Sequence, residues 1–424
     1  MTRDVVIIGA GQAGLTAAVS LRERGWTGGI HLIGDEAHDP YQRPPLSKGY
    51  LSGTESALDL LLRAPEALER DGITQHRGVR AEELDRSESV VRLSSGRSVT
   101  YTAVILATGS APRRLTVPGS ELGGIHSVRT IVDVDALRAD LAHGGPTVFI
   151  GGGFLNLEVA VEAAKFGPVT VLERGSQILG RVLSPAAAAA LAGYHAEKGV
   201  DIRCEARVVA LTAASQCAAG PDSPHVPCVG GVTLADGSIV PAARVVLAIG
   251  AEPRDELARA SGLETGGGVV VRGDLRTADE RVYAIGDCAR FPSTYAGTEM
   301  RVESVQNATD QARYVAGVIA ARFSETGPFT EPRSEAQQRA PLTGASDVPA
   351  PYREVPWFWS TQGDRRLQIA GIAMPGDDAR VLLDEPGGKL VVERLRAGEV
   401  VAVETINAPG PHMRARRALA SYGL

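Results

Sequence analysis

The chain is poor in cysteine. Four cysteines among 424 residues, Cys204, Cys217, Cys228 and Cys288, are too few and too scattered for a disulfide framework. They form no Cys-x-x-Cys pair, and no His-Glu-x-x-His run occurs. The eight histidines are equally scattered, so no metal set is expected. Such cysteine usage fits a reducing compartment, and the expected location is the cytoplasm. No stretch is long and apolar enough to span a membrane. The apolar run after Arg3 is interrupted by spaced glycines and starts like a strand, unlike the core of a signal peptide. A basic excess is missing too: the net charge is -6 and the pI about 5.8. A dominant role on nucleic acid or on an anionic membrane is therefore not expected. Aromatic residues are scarce, at 4%.

Glycine is plentiful by contrast, with 49 residues, while hydrophobic content is 44% and charged content 22%. These are the proportions of a globular α/β protein with many tight strand-to-helix turns. The length suggests two or three domains.

Two glycine loops stand about 140 residues apart. In the first, Val5-Val6-Ile7-Ile8 runs into Gly9, Gly11 and Gly14. Gly9 permits the tight turn, Gly11 lets a pyrophosphate approach the backbone, and Gly14 lets the helix pack on the strand. The helix N-terminus then offers amide donors to phosphate. Asp35, after the next strand, is placed to accept from a ribose hydroxyl. In the second, Val148-Phe149-Ile150 runs into Gly151 and Gly153, but Asn156 occupies the third glycine position. Its side chain is expected either to push the helix from the strand or to hydrogen-bond locally. Glu173 ends the following strand, where a carboxylate favours NAD over NADP, although Arg174 next to it weakens that preference. Two loops, each with its own acid, suggest two different dinucleotides, the arrangement for passing a hydride from a nicotinamide to a flavin.

Strands alternating with helices predict parallel sheets. The second nucleotide unit is inserted in the first, since the first pattern returns at Val245–Gly250 and Val282–Asp287. The expected division is a first nucleotide domain of 1–110 and 246–325, a second of 111–245, a flexible linker at 326–351, and a C-terminal α+β domain at 352–424. The Ala/Gly/Pro/Ser-rich stretch 212–230 reads as a loop. In the C-terminal domain, Leu367–Ile372, Lys389–Leu395 and Val400–Ile406 read as strands, and Met413–Leu419 as a basic helical tail.

The segment Tyr41-Gln-Arg-Pro-Pro-Leu-Ser-Lys48 resembles the signature of the FAD-dependent NADH–ferredoxin reductases of oxygenase systems. Ala107-Thr108-Gly109, Gly151 to Glu158, Gly286-Asp287-Cys288-Ala-Arg290, Val302-Glu-Ser-Val-Gln-Asn-Ala308 and Pro356-Trp-Phe-Trp-Ser360 carry the same resemblance, in the same order. It implies a glutathione-reductase-like fold: two Rossmann-type dinucleotide-binding domains, the NAD domain inserted in the FAD domain, and a C-terminal domain. Carried over by motif, Gly9, Gly11, Ala13 and Gly14 would hold the FAD pyrophosphate, and Asp35 its ribose. Ala81, Thr108, Gly109, Arg129 and Gly286 would be further FAD contacts, with Asp287 on the ribityl chain and the Val305 amide near the flavin. Gly151, Gly153, Asn156, Glu158, Glu173, Arg181 and Gly250 would serve NAD. Lys48, paired with Glu158, would lie near flavin N5, and Trp359 beside the flavin. Lys48, Glu158 and Trp359 are thus the expected catalytic set.

Disulfide reductases of this fold class carry a Cys-x4-Cys pair after the ribose-binding acid. Here no cysteine precedes residue 204. Electrons must leave the flavin directly. The expectation is transfer from NADH through FAD to a [2Fe–2S] ferredoxin that serves a cytochrome P450 or a ring-hydroxylating dioxygenase. An acidic ferredoxin needs a local basic patch on this acidic chain, for which Arg290, Arg313 and Arg414 are candidates. Rubredoxin, a quinone or monodehydroascorbate are the alternative acceptors. A scaffold flavoprotein resembling apoptosis-inducing factor is the alternative outside catalysis.

Overall fold

The structure is a computed structural model that describes residues 3–214, 227–323, 349–385 and 387–422. The chain divides into two compact units, each built from several segments. The first comprises Met1–Tyr41, Leu61–Ser110 and Pro253–Glu354. The second comprises Gln42–Leu60, Ala111–Glu252 and Val355–Leu424.

The first unit is organised on a five-stranded parallel sheet in the order Val282–Ala284, Ala103–Leu106, Val5–Ile8, Ile30–Gly34, Ile73–Arg77. Val5 to Ile8 are almost wholly buried, as a central strand covered on both faces requires. The helix Gln12–Glu23 turns Ala13, Gly14, Ala17, Ala18 and Leu21 inward. The glycine and alanines among them let it lie close to the long helix Val305–Arg322, which answers with Ala308, Ala312, Val315 and Ala316. An antiparallel sheet, Ala81–Asp85 with Val90–Leu93 and Ser98–Thr100, completes the part before residue 110.

The second unit repeats the plan. Its parallel sheet runs Val200–Arg203, Val169–Leu172, Thr147–Ile150, Arg244–Leu247, Ile125–His126. The C-terminal part is a five-stranded antiparallel sheet in the order Trp357–Gln362, Arg365–Gly371, Glu399–Ile406, Lys389–Arg396, Asp378–Glu385, followed by the helix Pro409–Tyr422. One core joins the two sheets' helices and strands: Leu157, Leu183 and Leu191 pack with Leu367, Val392 and Ile406. Each such side chain contributes about 1.5–3 kcal/mol by leaving water. Polar groups are matched inside this core. The fully buried Glu404 carboxylate accepts from the Ser184 amide at 2.9 Å, from Ser184 Oγ at 2.5 Å and from the Arg394 guanidinium at 2.8 Å. Ser184 also caps the helix Pro185–Glu197.

The three C-terminal strand readings and the helical tail are found, the helix longer than expected. The strand Asp378–Glu385 was not expected. It is an edge strand with Val381 and Leu382 about half exposed, so it has no inside-outside alternation to read. The loop reading at 212–230 needs correction at its ends, which belong to the antiparallel strands Val208–Ala213 and Val229–Leu234. Residues 215–226 of that stretch, and 326–348 of the expected linker, lie outside the described residues. Cys228 is disulfide-bonded, so cysteine usage is not wholly reduced; Cys204 and Cys288 are free thiols. No helix among the described residues is long and apolar enough to cross a membrane.

Candidate functional site

The first unit holds Gly9, Gly11, Ala13, Gly14, Asp35, Ala81, Thr108, Gly109, Gly286, Asp287 and Val305. Its glycine loop has three distinct spatial constraints. Gly9 has φ +114°, and a Cβ there would sit 2.1 Å from the Ala107 carbonyl oxygen. A Cβ at Gly14 would sit 1.8 Å from the Gly9 oxygen. Both glycines are demanded by the protein's own packing. A Cβ at Gly11 would meet nothing within 4 Å. That glycine leaves open space, at the N-cap of a helix whose first amides have no side-chain cap. Open space facing unpaired amides fits a diphosphate.

Around this loop the other residues are held by specific bonds. Asp35 directly follows the strand Ile30–Gly34, and its Oδ2 lies 3.0 Å from Arg254 Nη1. Asp287 stands in a short turn after Gly286. Its Oδ2 accepts from Ser110 Oγ at 2.9 Å, and its carbonyl accepts from Arg301 at 2.8 Å. Gly286 has φ +72° and donates its amide to Gln311 Oε1 at 2.8 Å. Val305 opens the helix Val305–Arg322, where Ser304 Oγ accepts from the Asn307 amide. The Val305 amide, at the helix start, remains available as a donor. Ala81 is buried at the start of its strand. Arg254 and Ser110, which bond to Asp35 and Asp287, carry no motif signal in the sequence.

The second unit holds Gly151, Gly153, Asn156, Glu158, Glu173, Arg181 and Gly250, and also Lys48, Arg129 and Trp359. Gly151 has φ +101°, and a Cβ there would meet the Ala248 oxygen at 2.5 Å. Gly153 is open, with the nearest atom 3.9 Å from a Cβ position. Asn156 resolves the two expectations in favour of local bonding. It is fully buried, and its amide donates to the carbonyls of Ile150 at 2.9 Å and Gly151 at 2.8 Å. It therefore pins the loop that a glycine would only have let close. Glu173 accepts from the Gly152 amide at 2.7 Å and from the Gly175 amide at 2.6 Å. The acid is thereby fixed at the strand end while each oxygen keeps lone pairs for a further donor. Gly250 has φ +114° and accepts at its carbonyl from the Arg113 amide. Arg181 is exposed, and the Arg129 carbonyl accepts from the Arg43 guanidinium.

Lys48 and Glu158 are brought together as expected. Lys48 Nζ lies 2.6 Å from Glu158 Oε2, and the carboxylate is 9% exposed. The remaining ligands of that carboxylate were not foreseen. Ser47 Oγ donates to Oε2 at 2.5 Å, Ser360 Oγ donates to Oε1 at 2.7 Å, and the Thr361 amide donates to Oε1 at 3.2 Å. Geometry explains the match. Phe154 and Glu158 are one helical turn apart, about 6 Å, the same spacing as alternate residues of a strand. Phe154 meets Phe358 with ring centroids 4.5 Å apart, and Glu158 meets Ser360 two residues on. By strand alternation Trp359 lies on the opposite face from Ser360. Its ring packs at a tilt on Trp357, centroids 5.3 Å apart, and it is not one of the four donors on the Glu158 carboxylate. The alternation of Phe358 with Ser360 was a readable signal for Ser360.

Of the three expected docking arginines, Arg290 is engaged with Glu299 at 3.3 Å and with the Gly266 carbonyl. Arg313 and Arg414 are exposed. Among the described residues no group of acids, histidines and cysteines could hold a metal.

Residues 3–312 match the family described as pyridine nucleotide-disulphide oxidoreductase, and residues 357–423 match a reductase C-terminal family. The chain is 39% identical over 419 residues to rhodocoxin reductase of Rhodococcus erythropolis, covering 99% of this chain and 90% of that one. It is similar in structure to the ferredoxin reductase for the CYP199A2 system from Rhodopseudomonas palustris. There the TM-score is 0.87 and the identity 34%, over 99% of this chain and 95% of that one. The reductase in a covalent putidaredoxin reductase–putidaredoxin complex gives a TM-score of 0.86 at 33% identity, over 99% and 93%.

Proposed function

This chain belongs to the pyridine nucleotide-disulphide oxidoreductase family, and from that premise we propose that it is an FAD-containing NADH–ferredoxin reductase. It passes electrons from NADH to a [2Fe–2S] ferredoxin that serves a cytochrome P450 or a ring-hydroxylating dioxygenase. The observation that carries this reading is the pair of independent glycine cradles, each open at one glycine and each with its own acid, in a chain with no cysteine before residue 204. Two dinucleotides are accommodated, and no cysteine pair follows the acid of the first cradle before residue 204. The likeness to ferredoxin reductases along the whole chain supports the acceptor.

The FAD domain is assigned to 1–110 and 246–325, the NAD domain to 111–245 and the C-terminal domain to 352–424. Gly9, Gly11, Ala13 and Gly14 bind the FAD diphosphate, Asp35 the adenosine ribose, and Asp287 and Val305 the flavin end. Gly151, Gly153 and Glu173 bind NADH. When both are bound, the nicotinamide supplies a hydride and the flavin releases electrons one at a time. The chain's own contribution is position and charge. Glu158, with four donors on its carboxylate, keeps the Lys48 ammonium in one place. Lys48 serves as the fixed cation of the site, and Ser47 and Ser360 as positioning residues. Arg313 and Arg414 are the docking arginines we favour for an acidic ferredoxin, Arg290 being already paired. The cytoplasm remains the proposed location, supported by the free Cys204 and Cys288 and opposed by the Cys228 bond.

The test is NADH-driven cytochrome c reduction by the purified protein, with and without a [2Fe–2S] ferredoxin. Strong dependence on ferredoxin is expected. A rate indifferent to several ferredoxins, with the flavin still reduced by NADH, would overturn the acceptor and point to rubredoxin, a quinone or monodehydroascorbate.

A further inference from the structure

Arg254 is tied to the first nucleotide cradle at three points. Its amide donates to the Gly109 carbonyl at 3.0 Å, and its own carbonyl accepts from Thr108 Oγ1 at 2.6 Å. Its guanidinium then reaches Asp35 Oδ2 at 3.0 Å, joining chain segments 219 residues apart. The pair is exposed, with side chains 43% and 39% accessible. An exposed ion pair of this kind adds little to folding stability. Its placement is what distinguishes it: the backbone is held to Thr108 and Gly109, the side chain to the acid that ends the second strand.

A lone carboxylate at a strand end can sample several staggered rotamers, and only some of them present an oxygen to a bound ribose. Arg254 removes that freedom by taking Oδ2, which leaves Oδ1 as the acceptor for a ribose hydroxyl. The guanidinium has five donors, and its bond to Asp35 uses Nη1 alone.

We propose that Arg254 is a positioning residue for FAD, fixing Asp35 for the adenosine ribose and closing the adenosine end of the cradle. This rests on the reading of the first loop as the FAD site. The experiment is FAD rebinding to apoprotein, followed by quenching of flavin fluorescence, for the parent, Arg254→Ala, Arg254→Lys, Asp35→Asn and the Arg254→Ala/Asp35→Asn pair. Arg254→Ala is expected to raise the FAD dissociation constant about tenfold, the scale of one charge-assisted hydrogen bond. Arg254→Lys should recover part of that loss. The double variant should bind no more weakly than Asp35→Asn, because Arg254 acts through that acid. An unchanged or lowered constant in Arg254→Ala overturns the proposal, since the arginine would then be idle or compete with the ribose. A parent apoprotein that takes up no FAD would instead overturn the reading of the loop itself.

Discussion

Replacing Glu158 by glutamine keeps the size of the side chain and removes its charge, so the cost follows from its four donors. Lys48 Nζ, Ser47 Oγ, Ser360 Oγ and the Thr361 amide lie 2.6, 2.5, 2.7 and 3.2 Å from the carboxylate oxygens. A glutamine has one acceptor oxygen and one donor NH2. The serine hydroxyls can turn and accept, but an ammonium and a backbone N–H cannot. The amide oxygen must therefore face Lys48, because the alternative sets NH2 against NH3+. The Thr361 amide is then left opposite a donor. One partly buried hydrogen bond worth about 1 kcal/mol is lost, and the bonds to Lys48 and the serines each lose roughly half their charge-assisted strength. With the Lys48 term discounted because its side chain is 28% exposed, the sum is about 2–4 kcal/mol. For a domain of 150–250 residues each kcal/mol lowers Tm by about 2–4 °C. The expected decrease is therefore roughly 4–16 °C, read by thermal unfolding of the FAD-loaded protein. Rapid mixing with NADH should show slower flavin reduction as well, because Lys48 loses its counter-charge. A variant within about 1 °C of the parent, with unchanged reduction kinetics, would refute the account of the network.

Lys48→Ala is expected to slow flavin reduction by NADH more than it weakens FAD retention; stopped-flow absorbance and the rate of flavin loss measure the two. Gly9→Ala should give little folded protein, because its Cβ would lie 2.1 Å from the Ala107 oxygen. Gly11→Ala should fold normally yet retain FAD poorly, and a folded, fully yellow Gly11→Ala protein would contradict the placement of the diphosphate. Asn156→Asp should raise KM for NADH by about tenfold or more, since a carboxylate would face the Ile150 and Gly151 carbonyls at the phosphate loop. Asn156→Gly restores the third glycine and should leave KM within about threefold; equal KM for the two variants would show the clamp to be irrelevant. Burial, reinforced by the charges of Arg416 and Arg366, depresses the His412 imidazole from 6.5 to about 4. The unfolded chain thus binds the proton first, so stability is complete above pH 6.5 and falls as the pH drops toward 4. His412→Leu should flatten that acid limb, as denaturant titrations at pH 7 and pH 5 would show.

Particular residues show how far the sequence could be read. The first glycine loop is a local device: Gly9, Gly11 and Gly14 act within one turn of chain, and Asp35 follows from one helix and one strand. The structure places all of them in one unit, as the spacing implied. The buried runs Val5–Ile8 and Thr147–Ile150 likewise announce central parallel strands, because a strand covered on both faces has no polar alternation. Asp378–Glu385 escaped notice for the converse reason, having two wet faces and no pattern. Asn156 looked like a defect in sequence because its two acceptors are backbone carbonyls, which every residue carries and no motif records.

The sequence by itself determined the two nucleotide loops, their acids, the parallel-sheet class and the lack of a Cys-x4-Cys pair after Asp35, since each depends on residue type and short spacing. Tertiary structure alone decided who meets whom at long range. Ser360 reaches Glu158 across 202 residues, and Arg254 reaches Asp35 across 219. Strand alternation then turned Trp359 to the face away from Ser360. These pairings depend on which sheet packs on which helix and in what register, a property of the folded core as a whole. Hydroxyls and guanidinium groups are common enough in sequence that only their distances distinguish the ones that hold the site.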